Sequence, residues 1–421
     1  MMKPIRATVP IRATFCRFIL SLLAPQNAGL NVIVKDTISI AHFMVFCQYL
    51  KTAILAVFVK WPFVDKINLI SDILTLMTRI KKQELMIFLI IVGVASFFRL
   101  YQTDISRTFS AILGILTVIG LYLLVRELFE WRIAAIASYL MAISFWHVNF
   151  SRMESVAIII PFILVYSFYS LWKGLKHGHL PYFFMAGIFG GLACLLAGKD
   201  FVPTYFIFLA PSIIIVLFIN YWWYLKKDFG HEKYEYAKNK LLQGFAILAL
   251  TTFVVALPVI ISFWQNQEGF LSPIKISFES IVKTLGMFNF SGDPLLAWPI
   301  GVFFVVGFIN ELIHWLKRKH GHFSTVHTFM FAWFFVMLIP GFLSTDAPNA
   351  LLTIGALPIV MIFTARGIWW FFDKLNMWYK LNDPHSKHLL AQAHRAHAIT
   401  ALVMIVFLFS IGFMEYWRYF K

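Results

Sequence analysis

Runs of about 20 apolar residues recur along most of this 421-residue chain, separated by short polar links. A helix of about that length crosses roughly 30 Å of hydrocarbon. Inside lipid every backbone N–H and C=O must be bonded within the protein, a condition that helices meet segment by segment. The runs predict an all-α, polytopic membrane protein with about 11 transmembrane helices. They lie near 85–101, 108–125, 133–148, 155–172, 182–198, 203–224, 241–263, 299–316, 326–343, 350–372 and 397–417. Composition agrees: 60% of residues are hydrophobic and only 13% charged, against about half and a quarter in soluble domains.

A net charge of +16 would suggest nucleic acid in a soluble protein, but in a membrane protein basic residues mark the cytoplasmic loops. With residue 84 placed on the cytoplasmic side, alternate crossing puts sixteen lysines and arginines in cytoplasmic links, from Arg126 and Arg132 to Lys387 and Arg395. Seven fall on the opposite side, including Arg107, Arg152, Lys199 and Arg418. That asymmetry supports the helix count and leaves no role for nucleic acid.

The first 82 residues read differently from the domain at 83–421. The segment 38–64 is apolar but carries Lys51 and Lys60 and has basic flanks on both sides, so it is expected to be interfacial or re-entrant, or to form one extra membrane helix. Residues 65–82 space Ile67, Ile70, Leu74 and Met77 as an amphipathic helix on the membrane surface. The basic N-terminus lacks the charged–apolar–cleavage layout of a removable signal peptide. Cys16, Cys47 and Cys194 have apolar neighbours and no paired spacing, which argues against a disulfide framework or thiolate metal site.

Polar residues that are costly to keep in a membrane point to function. On the face opposite the cytoplasm they concentrate in five places: Asp104 and Arg107; "SFWHVNFSRMES" at 144–155, with His147, Arg152 and Glu154; "AGKDF" at 197–201, with Lys199 and Asp200; the long stretch 264–298; and "LSTDAPNA" at 343–350, with Asp346. Carboxylates there could act as a general base or hold a metal, while Lys and Arg could hold phosphate oxygens. Short acidic residues are also common simply as helix-end caps, and that alternative stands for Asp104, Asp200 and Asp346. "KHGH" occurs at 176–179 and 319–322, but short basic loops at lipid headgroups account for both. The histidines 385, 388, 394 and 397 have no cysteine and only Asp383 nearby in sequence, a weak pattern for a metal shell. Arg366, about a turn inside the 350–372 helix, is expected to snorkel to the headgroups. The chain contains neither GxxxxGK[ST] nor GxGxxG, so no nucleotide loop is indicated.

The stretch "RTFSAILGILTVIGLYLLVRELFEWRIAAIASYLMAISFWHVNFSR" (107–152) resembles the second and third membrane helices of the GT-C-fold glycosyltransferases that use polyprenyl-phosphate sugars. It is most similar to the protein O-mannosyltransferase and aminoarabinose-transferase-like group of bacteria. Further matches are "GIFGGLACLLAGKDFVPTYFIF" (187–208), "IVKTLGMFNFSGDP" (281–294) and "LSTDAPNALLTIGALPIVMIFTARG" (343–367), so the resemblance covers about 84–372. It implies a bacterial inner-membrane enzyme that moves a sugar from a polyprenyl-phosphate carrier to a protein, lipid or glycan acceptor on the outer face. In that family an acidic residue of the first outward loop serves as base or helps hold a divalent metal. The second outward loop carries Ser-Arg followed by a polar or acidic position. Ser151, Arg152 and Glu154 fit that second pattern, Lys199 is placed to meet the carrier phosphate, and His147, Asp200 and Asp346 complete the polar set expected around substrate.

One departure bears on activity. In the family several dozen residues separate the first helix from the "RxxSAxxG" phrase, whereas Tyr101 and Arg107 are six positions apart here. Asp104 is the only acidic residue at that location, with a reach of a few ångströms at about 3.5 Å per extended residue. Three functions stay open: sugar transfer using Glu154 and Asp104; a non-catalytic protein that binds the lipid carrier; and a transporter or flippase for a lipid-linked sugar.

Overall fold

The computed structural model describes residues 82–101, 107–153, 156–195, 206–228, 231–265, 277–290, 294–317, 322–344, 346–381 and 389–420. The N-terminal segment, including 38–64 and nearly all of 65–82, lies outside them, as do Asp104, Glu154, Lys199 and Asp200.

The described residues form thirteen α-helices and no strands. In chain order these are α1 (Lys82–Leu100), α2 (Thr108–Leu128), α3 (Trp131–Ile143), α4 (Phe145–Arg152), α5 (Ile159–His177), α6 (Leu180–Leu195), α7 (Phe206–Asp228), α8 (His231–Gln265), α9 (Phe278–Gly286), α10 (Trp298–Lys317), α11 (His322–Phe342), α12 (Leu357–Leu381) and α13 (Leu389–Phe420). The described parts of all eleven apolar runs fall on this framework. Seven helices are individually long and apolar enough to cross a membrane, and α3 with α4 makes an eighth as a span bent by 54°. The run at 133–148 is thus two half-helices rather than one straight helix.

Helices α2, α11 and α12 occupy the centre. Across the apolar stretch of α12 78% of residues are buried, against 17% for α13 at the periphery. Lipid is as apolar as leucine, so close packing and internal hydrogen bonds hold such a bundle together. Phe168, Phe329 and Trp333 interlock with ring centroids 4.7–5.6 Å apart, and Trp333 donates its indole N–H to the Gly355 carbonyl at 2.9 Å. Phe308 packs edge-on against Phe331 and Phe363, both at 5.3 Å. Where α10 crosses α12, Gly307 and Gly367 face each other, and a Cβ on either would collide with the other helix's backbone. Gly178 ends α5 in the left-handed region at φ 66°, its N–H closing on Gly174 O, a conformation glycine adopts without a Cβ clash.

The two ends of the bundle carry different chemistry. At one end Arg126 lies 2.5 Å from Glu84, which also accepts from Tyr122 Oη. Lys176 pairs there with Glu127 at 2.8 Å, and Arg132 stacks over Trp369. This is the basic end that the loop charges predict. A little inside it, Arg366 does not snorkel: its Nε donates to Glu311 at 2.7 Å. Glu311 is 0% exposed and its second oxygen lies 2.9 Å from His327 Nε2. A carboxylate across the bundle offers the guanidinium a closer partner than the headgroups.

Candidate functional site

At the opposite end, the break between α3 and α4 organises the polar stretches. Ser144 takes φ −53° and ψ 121°, outside the helical region, so the chain turns there without proline or glycine. A break leaves carbonyls unpaired on one side and N–H groups on the other, and in apolar surroundings each needs a partner. Arg99, at the end of α1 and 0% exposed, supplies the first set. Its Nη1 donates to Ala142 O at 2.8 Å and its Nη2 to Met141 O at 3.1 Å. Glu415, from α13 and 1% exposed, supplies the other side by accepting from Phe145 N–H at 2.9 Å. The signs suit the helix dipoles, a cation at the carbonyl end of α3 and an anion at the N–H end of α4.

Half-helix α4 carries the predicted residues of the second polar stretch. His147 is 0% exposed, with Nδ1 2.5 Å from Arg99 Nη2 and with Nε2 lacking a hydrogen-bond partner among the described residues. In this arrangement it faces Arg99 and not an open surface. Trp146 donates to Ala350 O at 3.2 Å and ties α4 to the 343–353 loop. Arg152, at the end of α4, donates to Phe98 O at 3.3 Å. Its guanidinium also lies over the rings of Tyr419 and Phe420 at 5.2 and 5.5 Å.

Two further stretches reach the same end. Helix α9 starts at Ser277, whose hydroxyl accepts from Glu279 N–H, and Ser280 and Thr284 are its buried face. Ser280 donates to Ser344 O at 3.4 Å. Phe278, Val282 and Leu285 stand exposed on the other side. Lys283, 2.6 Å from Glu279, holds that carboxyl below the ordinary carboxylate value, by its hydrogen bond and then by its charge. In the 343–353 loop, Asn349 Oδ1 accepts from the N–H groups of Leu351 and Leu352. Asp346 is exposed, with its own N–H on Ser344 Oγ. Arg418 of α13 donates to Leu295 O at 3.3 Å and also to Pro294 O.

Of the five polar stretches, then, three converge through described residues: 144–153, 277–297 and 343–353. The end of α1 and the end of α13 join them. Arg99, Glu415 and Arg418 were not among the expected site residues, although each is an ionisable side chain in or beside an apolar run, the pattern that flags function or pairing in membranes. Among the described residues no group of three His, Cys, Asp or Glu could hold a metal ion. The carboxylates that the resemblance puts nearest such a role, Asp104 and Glu154, lie outside those residues.

Comparison with known proteins bears on the same region. Residues 82–232 match the profile of the dolichyl-phosphate-mannose-protein mannosyltransferase family. No curated protein matches the chain. Among solved structures it is similar to the Archaeoglobus fulgidus oligosaccharyltransferase in three forms. The form tethered to an acceptor peptide containing the NVT sequon gives 18% identity and a TM-score of 0.46, with 74% of this chain and 43% of that one covered. The apo form gives 19% identity and a TM-score of 0.44, covering 74% and 44%. The complex with Zn and sulfate gives 19% identity and a TM-score of 0.46, covering 74% and 41%. The chain therefore spans less than half the length of these structures. The stretch similar to that family, residues 82–232, contains α1 to α7 and the Arg152 turn.

Proposed function

We propose that this protein transfers a sugar from a polyprenyl-phosphate carrier to a protein, lipid or glycan acceptor at the membrane surface opposite its basic end. The observation that carries the reading is the family match across the Ser151–Arg152 turn, at the end of the bundle where three polar stretches meet. In this reading Arg152 and Lys199 hold the carrier phosphate, since guanidinium and ammonium groups form charge-assisted bonds to its oxygens. Glu154 is the base that accepts the proton of the acceptor nucleophile, and Asp104 assists it from the short α1–α2 connection. The sugar's bond to the carrier phosphate breaks, a bond to the acceptor forms, and the phosphate leaves on the lipid. Asp200, Asp346 and His147 contribute polar contacts to substrate. The membrane is the bacterial inner membrane, with residue 84 in the cytoplasm.

The test is transfer of labelled sugar from a polyprenyl-phosphate donor in proteoliposomes. Glu154→Gln should lower the rate by at least about 100-fold, the usual worth of a general base, and Asp104→Asn by less. Transfer unchanged in both variants would overturn the assignment of the two carboxylates.

A second reading rests on the six-residue step from Tyr101 to Arg107. A chain that lacks the long first loop could bind the carrier without turning it over. Carrier binding that depends on Arg152, with no transfer to any acceptor, would favour it.

A further inference from the structure

We infer that Arg99 and Glu415 are positioning residues for Arg152, acting together as a two-sided brace on the α3–α4 break. The inference rests on the reading that Arg152 meets the carrier phosphate. Arg99 binds two of the carbonyls that the break exposes, at 2.8 and 3.1 Å, and Glu415 binds the first N–H beyond it, at 2.9 Å. Both side chains are essentially buried, at 0% and 1% exposure. The bend of 54° therefore depends on charges brought from two other helices rather than on a residue that breaks helices by itself.

The same two elements also seat Arg152. Phe98, whose carbonyl accepts from Arg152, is the residue before Arg99. Tyr419, whose ring lies under the guanidinium, is one helical turn beyond Glu415. Packing leaves little slack. A Cβ placed on Gly114 of α2 would come within 2.7 Å of Ser151 Cβ and 2.9 Å of Arg99 Nε, so Ser151 and Arg99 press on one spot of α2. Loss of either brace frees α4 to rotate about Ser144. Arg152, eight residues beyond the break at the far end of α4, then swings through the widest arc.

The experiment uses the full chain in lipid nanodiscs, with its three cysteines replaced and spin labels at positions 112 and 153, both exposed. Pulsed electron resonance reads the distance from α2 to the residue after Arg152. The parent and Glu415→Gln, whose amide oxygen still accepts from Phe145 N–H, should give one narrow distribution. Glu415→Leu and Arg99→Met should broaden or shift it. Arg99→Lys, which keeps the charge but not the forked geometry, should broaden it less and serves if Arg99→Met does not fold. In parallel, a polyprenyl monophosphate is titrated into each variant. Affinity should fall about tenfold in Glu415→Leu and Arg99→Met, the loss of roughly one charge-assisted contact, and less than about threefold in Glu415→Gln. Unchanged distance distributions in Glu415→Leu and both Arg99 variants would overturn the brace, whatever happens to affinity. Undiminished binding in Arg152→Ala would instead overturn the reading of Arg152 and leave the distance result to stand on its own.

Discussion

Replacing Arg366 with methionine tests whether the charge cluster between α10, α11 and α12 is a tie that the bundle depends on. Glu311 has no exposure, Arg366 Nε reaches it at 2.7 Å, and His327 Nε2 lies 2.9 Å from its other oxygen. At 2.7 Å and an effective dielectric near 20, the Arg366–Glu311 attraction is about 6 kcal/mol before desolvation. Burying the two charges offsets most of that, so the intact pair adds little over a well-packed apolar pair. Breaking it is different, because Glu311 remains buried with the guanidinium gone and the His327 ring beside it. Methionine keeps much of the apolar stem, which limits the loss of packing. The expected cost is about 3 kcal/mol, the lower end of the 3–5 kcal/mol for orphaning a buried charge, since His327 stays in place. Glu311→Leu combined with Arg366→Met should recover most of it, giving a coupling of at least about 2 kcal/mol. Reversible unfolding in mixed micelles measures all four corners of the cycle. An Arg366→Met cost below about 1 kcal/mol, or single-variant costs that simply add in the double variant, would refute the argument.

Three further outcomes follow from the geometry. Gly307→Ala places a methyl against the backbone of α12 at Phe363 and Gly367; overpacking of that kind costs about 1–3 kcal/mol, measurable in the same unfolding assay, and Gly93→Ala, where a Cβ meets nothing within 4 Å, is its control. Trp146→Phe keeps an aromatic ring against Phe288 but removes the bond to Ala350 O; it should cost about 1 kcal/mol and speed proteolysis within the 343–353 loop. The Glu279 carboxyl, lowered by Lys283, should titrate below other exposed glutamates in a carbon-labelled sample and return to the ordinary value in Lys283→Gln. A depressed carboxyl stabilises the fold above its unfolded pKa of about 4.3, and that contribution disappears as pH falls through the lowered folded value.

The positions of the membrane helices were legible because a bilayer imposes a length and an apolarity on any spanning segment, and among the described residues the helices of eight of the eleven runs, counting the bent pair at 133–148, satisfy both. The break at Ser144 was not legible. "YLMAISFWHVNF" holds no proline or glycine, and the bend depends on Arg99 and Glu415, 45 residues before and 271 after Ser144. Arg366 was misread for the same reason. Its depth in the helix suggested snorkelling, while its partner Glu311 lies 55 residues earlier, a pairing that only the packing of α10 against α12 creates. The site was legible in part. Counting alternate helix ends predicted that 144–155, 264–298 and 343–350 share one side, and the described parts of these stretches do meet. The contribution of α13 was missed because Glu415 falls inside the apolar run 397–417 and Arg418 was counted only as a charge on the side opposite the cytoplasm. A lone buried carboxylate in an apolar helix was the available signal.

That contribution has a consequence for how α13 is held. Only 17% of its apolar stretch is buried, and a helix surrounded by lipid gains no hydrophobic stabilisation by moving from lipid to protein. Its middle is exposed at Leu402, Ile405, Phe409 and Phe413. The directed contacts gather at its end: Glu415 on the Phe145 N–H, Arg418 on Pro294 and Leu295, and Tyr419 and Phe420 beneath Arg152. Tyr139 Oη adds one bond to Leu408 O along the way, at 3.1 Å. The register of α13 against the bundle is thus set mainly by groups that also shape the α4 turn. A one-residue slip would rotate Glu415 by about 100° away from the break, leaving an unpaired carboxylate and an unpaired N–H together in apolar surroundings. The arrangement makes the position of the last helix and the geometry of the Ser151–Arg152 turn one property, so changes that loosen α13 act at the site even where they touch no residue in it.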